Sequence, residues 1–337
     1  MSSGESAKLD GATVLGSLIV DSGGDLMATD LNMGDGMAEG SYAFKLNAEG
    51  DVRLGKGKSR GAKTLWSRML DIKGRNIRVD GMCLSSSSGI SIVGANKIEM
   101  NGPFGIVTSV TGSQEVSVKA PETYFKDDVY IWANTSKHFN STGKINITGS
   151  EILELKNTDI TMVNDQTNNE HPVIELNGGQ ITLDNSSISQ GDYYGWMNRF
   201  GFIYSSNPTQ LTGNKITEIK ATGSFKLVNK SKLSMGTGNV FVNAKDVIIQ
   251  DSAILNNNIW SAAKKGVGGI EMIAENDMIL TNADITSSTI SSEIRANIVL
   301  KGKQLNSVNA EVKIHDERKG KVGSIQLDFE ESVNMDK

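Results

Sequence analysis

Four stretches of this chain superpose without gaps: 153–160 (LELKNTDI), 181–188 (ITLDNSSI), 247–254 (VIIQDSAI) and 278–285 (MILTNADI). Each has an apolar residue, a second apolar residue two places on, Asn or Asp four places on, and Ile seven places on. Apolar residues at alternate positions mark a strand with one buried face. Asn and Asp tolerate a left-handed backbone and bond to nearby backbone groups, so they mark a corner. The Ile opens the next strand. Eight residues thus encode strand, corner and strand.

The corners recur at Asn157, Asn185, Asn207, Asn229, Asp251 and Asn282, with intervals of 22 residues from 185 to 207, 207 to 229 and 229 to 251. The remaining intervals, 28 and 31 residues, are read as the same unit with insertions. Upstream, IRVDGMCL (77–84) and IEMNGPFGI (98–106) fit the frame with Gly81 and Gly102 at the corner, glycine being the other residue at ease there. A second column of short strands precedes the motif: INI (145–147), IEL (174–176), VFV (240–242) and IEM (270–272). KLNAEGDVRL (45–54) has the same form.

Twenty-two extended residues at roughly 3.3 Å each make a loop of about 70 Å, enough for three short strands and their corners. Such a coil cannot bury its apolar face alone, but copies stacked at about 4.8 Å form a continuous core and pair their backbones. A sandwich with coincidental Asn turns is the competing fold, and sandwiches seldom keep a fixed interval across several strands. The expectation is therefore an all-β, right-handed parallel β-helix with rungs of about 22 residues and capped ends. Its corner residues would form a ladder of side-chain bonds. Residues 1–40, Gly- and Ser-rich, read as an irregular N-terminal cap or first rung, 41–310 as the β-helix, and the charged stretch 311–337 as a C-terminal cap or tail.

Insertions are expected after the strand that follows the corner, at Met162–His171, Ser189–Phe200 and Leu255–Gly269. Loops leaving one corner of successive rungs emerge on one side, where solenoids usually bind. Asp192, Tyr193, Tyr194 and Trp196, with Trp260 on the neighbouring insertion, form the candidate ligand-binding group. Flat aromatic faces beside polar groups suit a sugar ring or a protein surface. The plainer reading is that these aromatics pack the insertions onto the rod.

Catalysis would need convergent carboxylates. Asp127, Asp128, Asp192 and Glu218 are the candidates, and none has a spacing that chemistry requires, so no catalytic residue is assigned. No phosphate-binding glycine loop or serine elbow occurs. His138, His171 and His315 are far apart, and no metal or cofactor is expected. The net charge of −5 with scattered Lys and Arg provides no basic field for nucleic acid. The lone Cys83 excludes an internal disulfide framework. No apolar run approaches the roughly 20 residues of a membrane span, and Thr13–Val20 does not read as a signal peptide. The five N-x-S/T sites, at Asn134, Asn140, Asn146, Asn185 and Asn229, are read as composition.

The segments NVFVNAKDVIIQDSAILNN (239–257), IEMIAENDMILTNADITSS (270–288) and IELNGGQITLDNSSISQ (174–190) resemble the repeats of bacterial filamentous haemagglutinin-type adhesins. The resemblance covers roughly 142–300 and more loosely 44–110. It implies a parallel β-helical shaft, export and attachment, with a location outside the cell or on a cell or virion surface. The family's N-terminal secretion domain is missing here. The first functional expectation is a non-enzymatic adhesive or structural shaft with a glycan or protein ligand. A carbohydrate-active β-helix, such as a tailspike-like depolymerase or polysaccharide lyase, is the alternative. An oligomeric stalk or assembly component is the third reading.

Overall fold

A computed structural model of the protein describes residues 2–14, 16–33, 42–56, 63–103, 105–108, 115–135, 144–164, 172–190, 216–235, 239–258, 267–289, 295–316 and 323–336. Among them every regular element is a strand, every pairing is parallel, and all but one small pair join a single continuous ladder. The fold is a parallel β-solenoid.

One rung shows the plan. The strand Lys144–Lys156 runs along a first face; its register then shifts between Gly149 and Ile152, where it passes to a second. A Cβ on Gly149 would collide with the Ile152 carbonyl, so only glycine allows so tight a passage. Asn157 then turns the chain, and Thr158–Asn164 forms the third face. The next rungs repeat this order as Pro172–Asp184 with Ser187–Gln190, Ile216–Val228 with Lys232–Met235, and Asn239–Gln250 with Ala253–Asn258.

Alternation within each strand and register between rungs together produce the core. On the first face Ile147, Leu176, Ile219, Val242, Met272 and Leu300 stack in one column. Leu153, Ile181, Phe225, Val247 and Met278 do so on the second, and Ile131, Ile160, Ile188, Leu233, Ile254 and Ile285 on the third. None of these is more than 1% exposed. Each rung lies about 4.8 Å from its neighbours, so the apolar side chains of one column pack directly on one another.

The rung length differs from expectation. Spacing is roughly 27 residues, not 22. Partners Phe225 and Val247 are 22 apart, but Ile145 and Ile174 are 29 apart, and Val247 and Met278 are 31 apart. The strands and corner keep a nearly fixed length because they must stay in register. The return from the third face to the next rung has no such constraint and absorbs the variation. The expected rung around Asn207 has no place in the stack: Asp184 pairs directly with Val228, and Ser187 with Lys232. The 44 residues from Asn185 to Asn229 are one rung carrying a long return segment.

Both terminal stretches contribute strands to the ladder. Leu18–Ser22 and Leu26–Thr29 pair with Ala43–Ala48 and Val52–Gly55. Glu311–Asp316 pairs with Asp284–Thr289, and Ile325–Asp336 with Arg295–Val308.

Candidate functional site

The corner column is built as the residue types require. Asn157, Asn185, Asn229, Asp251 and Asn282 all have positive φ, between 47° and 56°. Outside the turn their side chains bond along the stack: Asn185 Nδ2 donates to Asn157 Oδ1 at 2.6 Å, and Asn282 Nδ2 to Asp251 Oδ1 at 2.7 Å. Asn229 donates instead to Asp184 Oδ1 at 2.7 Å. Its corner is one residue longer, with Lys230 also left-handed, which displaces the side chain from the column. Asn309 is a further corner with φ 51°, in a segment (VNAEV) that repeats the motif but lies among charged residues. Gly81 turns with φ 57°. Gly102 does not adopt a left-handed φ; glycine is required there because a Cβ would overlap the Asp127 carbonyl.

A second ladder runs inside the first, and sequence reasoning missed it. At four of these corners the inner residue is Thr158, Ser186, Ser231 or Ser252, each no more than 7% exposed, and at Asn282 it is the buried Ala283. Ser186 Oγ accepts the Thr158 N–H at 3.0 Å and lies 2.9 Å from the Leu155 carbonyl, to which it donates. One rung on, Ser231 Oγ accepts the Ser186 N–H and faces the Leu183 carbonyl, both at 3.0 Å. Thr158 Oγ1 lies 3.2 Å from the Phe125 carbonyl of the rung before. Ser186 and Ser231 therefore each satisfy two backbone groups of the preceding rung at the turn, while Thr158 and Ser252 each donate to a backbone carbonyl. The signal was present as the small hydroxyl residue after the corner Asn or Asp, directly in NT, NS and DS and one place later in NKS.

Of the ligand-binding candidates, Asp192, Tyr193, Tyr194, Trp196 and Trp260 lie outside the described residues, as do Asn207, His138 and His171. What the structure supplies is the edge to which their segments attach. The third-face strands end at Thr135, Asn164, Gln190, Asn258 and Thr289, and each precedes one of the return segments. The first residues of the expected insertions, Met162–Asn164 and Leu255–Asn258, still belong to these strands.

Among the described residues the candidate carboxylates Asp127, Asp128 and Glu218 do not converge. Asp127 and Asp128 occupy the corner between Glu115–Lys126 and Val129–Thr135, both with left-handed φ. Glu218 projects from the first face, in line with Glu175, Asn146 and Ser117. It therefore reaches the Asp127 rung at Ser117, on a different strand segment from the corner. Glu175 and Glu218 are neighbours, but Lys144 Nζ sits 2.5 Å from Glu175 and Lys220 Nζ 2.9 Å from Glu218. The Lys144 ammonium holds the Glu175 carboxyl below the ordinary glutamate range. A general acid needs the opposite shift. Among the described residues no group of three or more His, Cys, Asp or Glu is placed to hold a metal ion. No helix among them is long and apolar enough to cross a membrane.

Comparisons with known protein families, curated proteins and solved structures find no match to this chain.

Proposed function

We propose that the chain is a non-enzymatic β-solenoid shaft that carries its contact surface on the return segments along one edge. The observation that supports this reading is the division of each rung into constant and variable parts. Strands and corners keep register over the whole stack, while the variable length falls between the third face and the next rung. A rigid frame with variable segments on one side is how a display scaffold separates stability from recognition.

The most aromatic return segment, with Tyr193, Tyr194 and Trp196 beside Asp192, is the proposed contact, and Trp260 belongs to a neighbouring one. A glycan or a protein surface is the ligand class that such side chains suit. The resemblance to filamentous haemagglutinin-type repeats favours adhesion, at a location outside the cell or on a cell or virion surface. Glycan-array binding by the full chain, beside Tyr194→Ala and Trp196→Ala and with bound sugars checked for cleavage, tests the proposal. Binding without cleavage, lost in both variants, is the expected result. Cleavage of a bound glycan would overturn it in favour of a depolymerase or lyase.

A further inference from the structure

The outward columns of the first face change character along the stack. On successive rungs they read Asn146 and Thr148, then Glu175 and Asn177, then Glu218 and Lys220, all of them polar. The next two rungs carry Phe241 with Asn243 and Glu271 with Ile273. Phe241 points away from the core, because its neighbours Val240 and Val242 point inward and are at most 1% exposed. The core does not require an aromatic residue there. On the second face the outward Tyr124 has its ring engaged by the Lys97 and Lys126 ammoniums, 4.8 and 4.6 Å from the centroid. Among the described residues no cation lies over the ring of Phe241.

Two ion pairs bracket that ring. In the same column Glu218 lies one rung before Phe241 and Glu271 one rung after it. Lys220 Nζ is 2.9 Å from the Glu218 carboxylate, and Lys301 Nζ is 3.9 Å from that of Glu271. The two acids therefore stand on strands about 9.6 Å apart, two rung spacings, with the phenyl group between them. Ile273, half-buried and diagonal to Phe241 on the next strand, extends the apolar floor.

We infer that this bracket is a subsite for one neutral sugar ring, with Phe241 as its platform. Three features specify that ligand. The C–H face of a pyranose suits a phenyl ring, and its hydroxyls suit the groups on either side. Each acid already carries an ammonium, so the bracket has no net charge to attract a charged partner, yet it keeps acceptors and donors for hydroxyl groups. The floor is also small. Phe241 and Ile273, both half-buried, expose on the order of 100 Å² together, whereas a stable protein interface buries roughly 800 Å² on each partner. That area matches one sugar ring and not a second copy of the chain. The subsite belongs to the first face and does not rest on what the return segments bind.

Saturation-transfer NMR with the full chain and methyl β-D-glucopyranoside tests this. The expected result is transfer to the ring C–H protons with a Kd on the order of 1 mM, too weak for an array to retain, so this subsite and the return segments fail separately. Because the ligand is uncharged, the affinity changes less than about twofold between 50 and 500 mM NaCl. Phe241→Ala weakens binding at least fivefold, and Phe241→Tyr, which keeps the platform, retains it. The pair Glu218→Ala and Glu271→Ala weakens it at least threefold. Tyr194→Ala and Trp196→Ala leave it unchanged. Absence of transfer, transfer undiminished in Phe241→Ala, or transfer lost in Tyr194→Ala would overturn the inference. So would concentration-dependent self-association by sedimentation that Phe241→Ala removes, since that assigns the patch to a second copy.

Discussion

Removing the Ser186 hydroxyl isolates the inner ladder from the outer one. In Ser186→Ala the Thr158 N–H loses its acceptor and the Leu155 carbonyl its donor, in a corner where Ser186 is 4% and Thr158 1% exposed. A buried donor left without a partner costs about 1–3 kcal/mol, and the carbonyl retains a second lone pair, so a loss of about 2–3 kcal/mol is expected. The neighbouring outer substitution is Asn185→Gly. It keeps a residue at ease with φ 47° and removes only an exposed bond to Asn157, so a change within about 0.5 kcal/mol is expected. Urea unfolding followed by far-UV circular dichroism measures both. Amide exchange reports the local effect, with Thr158 expected to exchange about 30-fold faster for 2 kcal/mol. If Ser186→Ala falls within 0.5 kcal/mol of the parent, or Asn185→Gly costs as much as Ser186→Ala, the inner ladder does not hold the corners.

Further substitutions probe other parts of the rung. Phe225→Ala, at a fully buried site between Ile181 and Val247, should cost about 3–5 kcal/mol in the same unfolding assay. Gly102→Ala should cost about 1–3 kcal/mol, because the added methyl overlaps the Asp127 carbonyl and the backbone must shift. Glu175 has a folded pKa lowered by Lys144, so it binds fewer protons folded than unfolded as the pH falls through the acid range. Its contribution is present above the ordinary glutamate pKa and disappears as pH drops through the lowered one. Glu175→Gln should therefore be less stable than the parent at pH 7 and equal to it at pH 2–3, measured as urea midpoints. A difference that persists in acid would assign the loss to packing instead.

The fold was legible because a parallel solenoid repeats the same physical demand on every rung. Inward positions such as Leu153, Ile181 and Val247 must be apolar, and the corner must accept a left-handed backbone, so the motif survives from rung to rung. Rung length was less legible, because the return segments answer to no register. Asn185 and Asn229 are 44 residues apart, twice 22, a spacing that suggests a further rung between them, whereas the rungs that carry them pair directly. Asn309 escaped because its flanking charges suggested a tail, although strand pairing tolerates charge on the outer face. The serine ladder was visible only as residue type; that its hydroxyls replace backbone acceptors requires the turn geometry.

Register across the long return segment is the point on which the stack stands or fails. Thr161 Oγ1 and Ser189 Oγ lie 2.9 Å apart on successive rungs, and Ser189 is in register with Ser234 on the next, which in turn is in register with Leu255. In a Cys83→Ser background, cysteines at Ser189 and Ser234 would have Cα atoms about 4.8 Å apart, within disulfide range, and those at Ser189 and Leu255 about twice that, outside it. Oxidation followed by mass spectrometry is expected to close the 189–234 bridge within one chain and leave the 189–255 pair reduced. A bridge between 189 and 255, or none between 189 and 234, would contradict the stacking of these rungs.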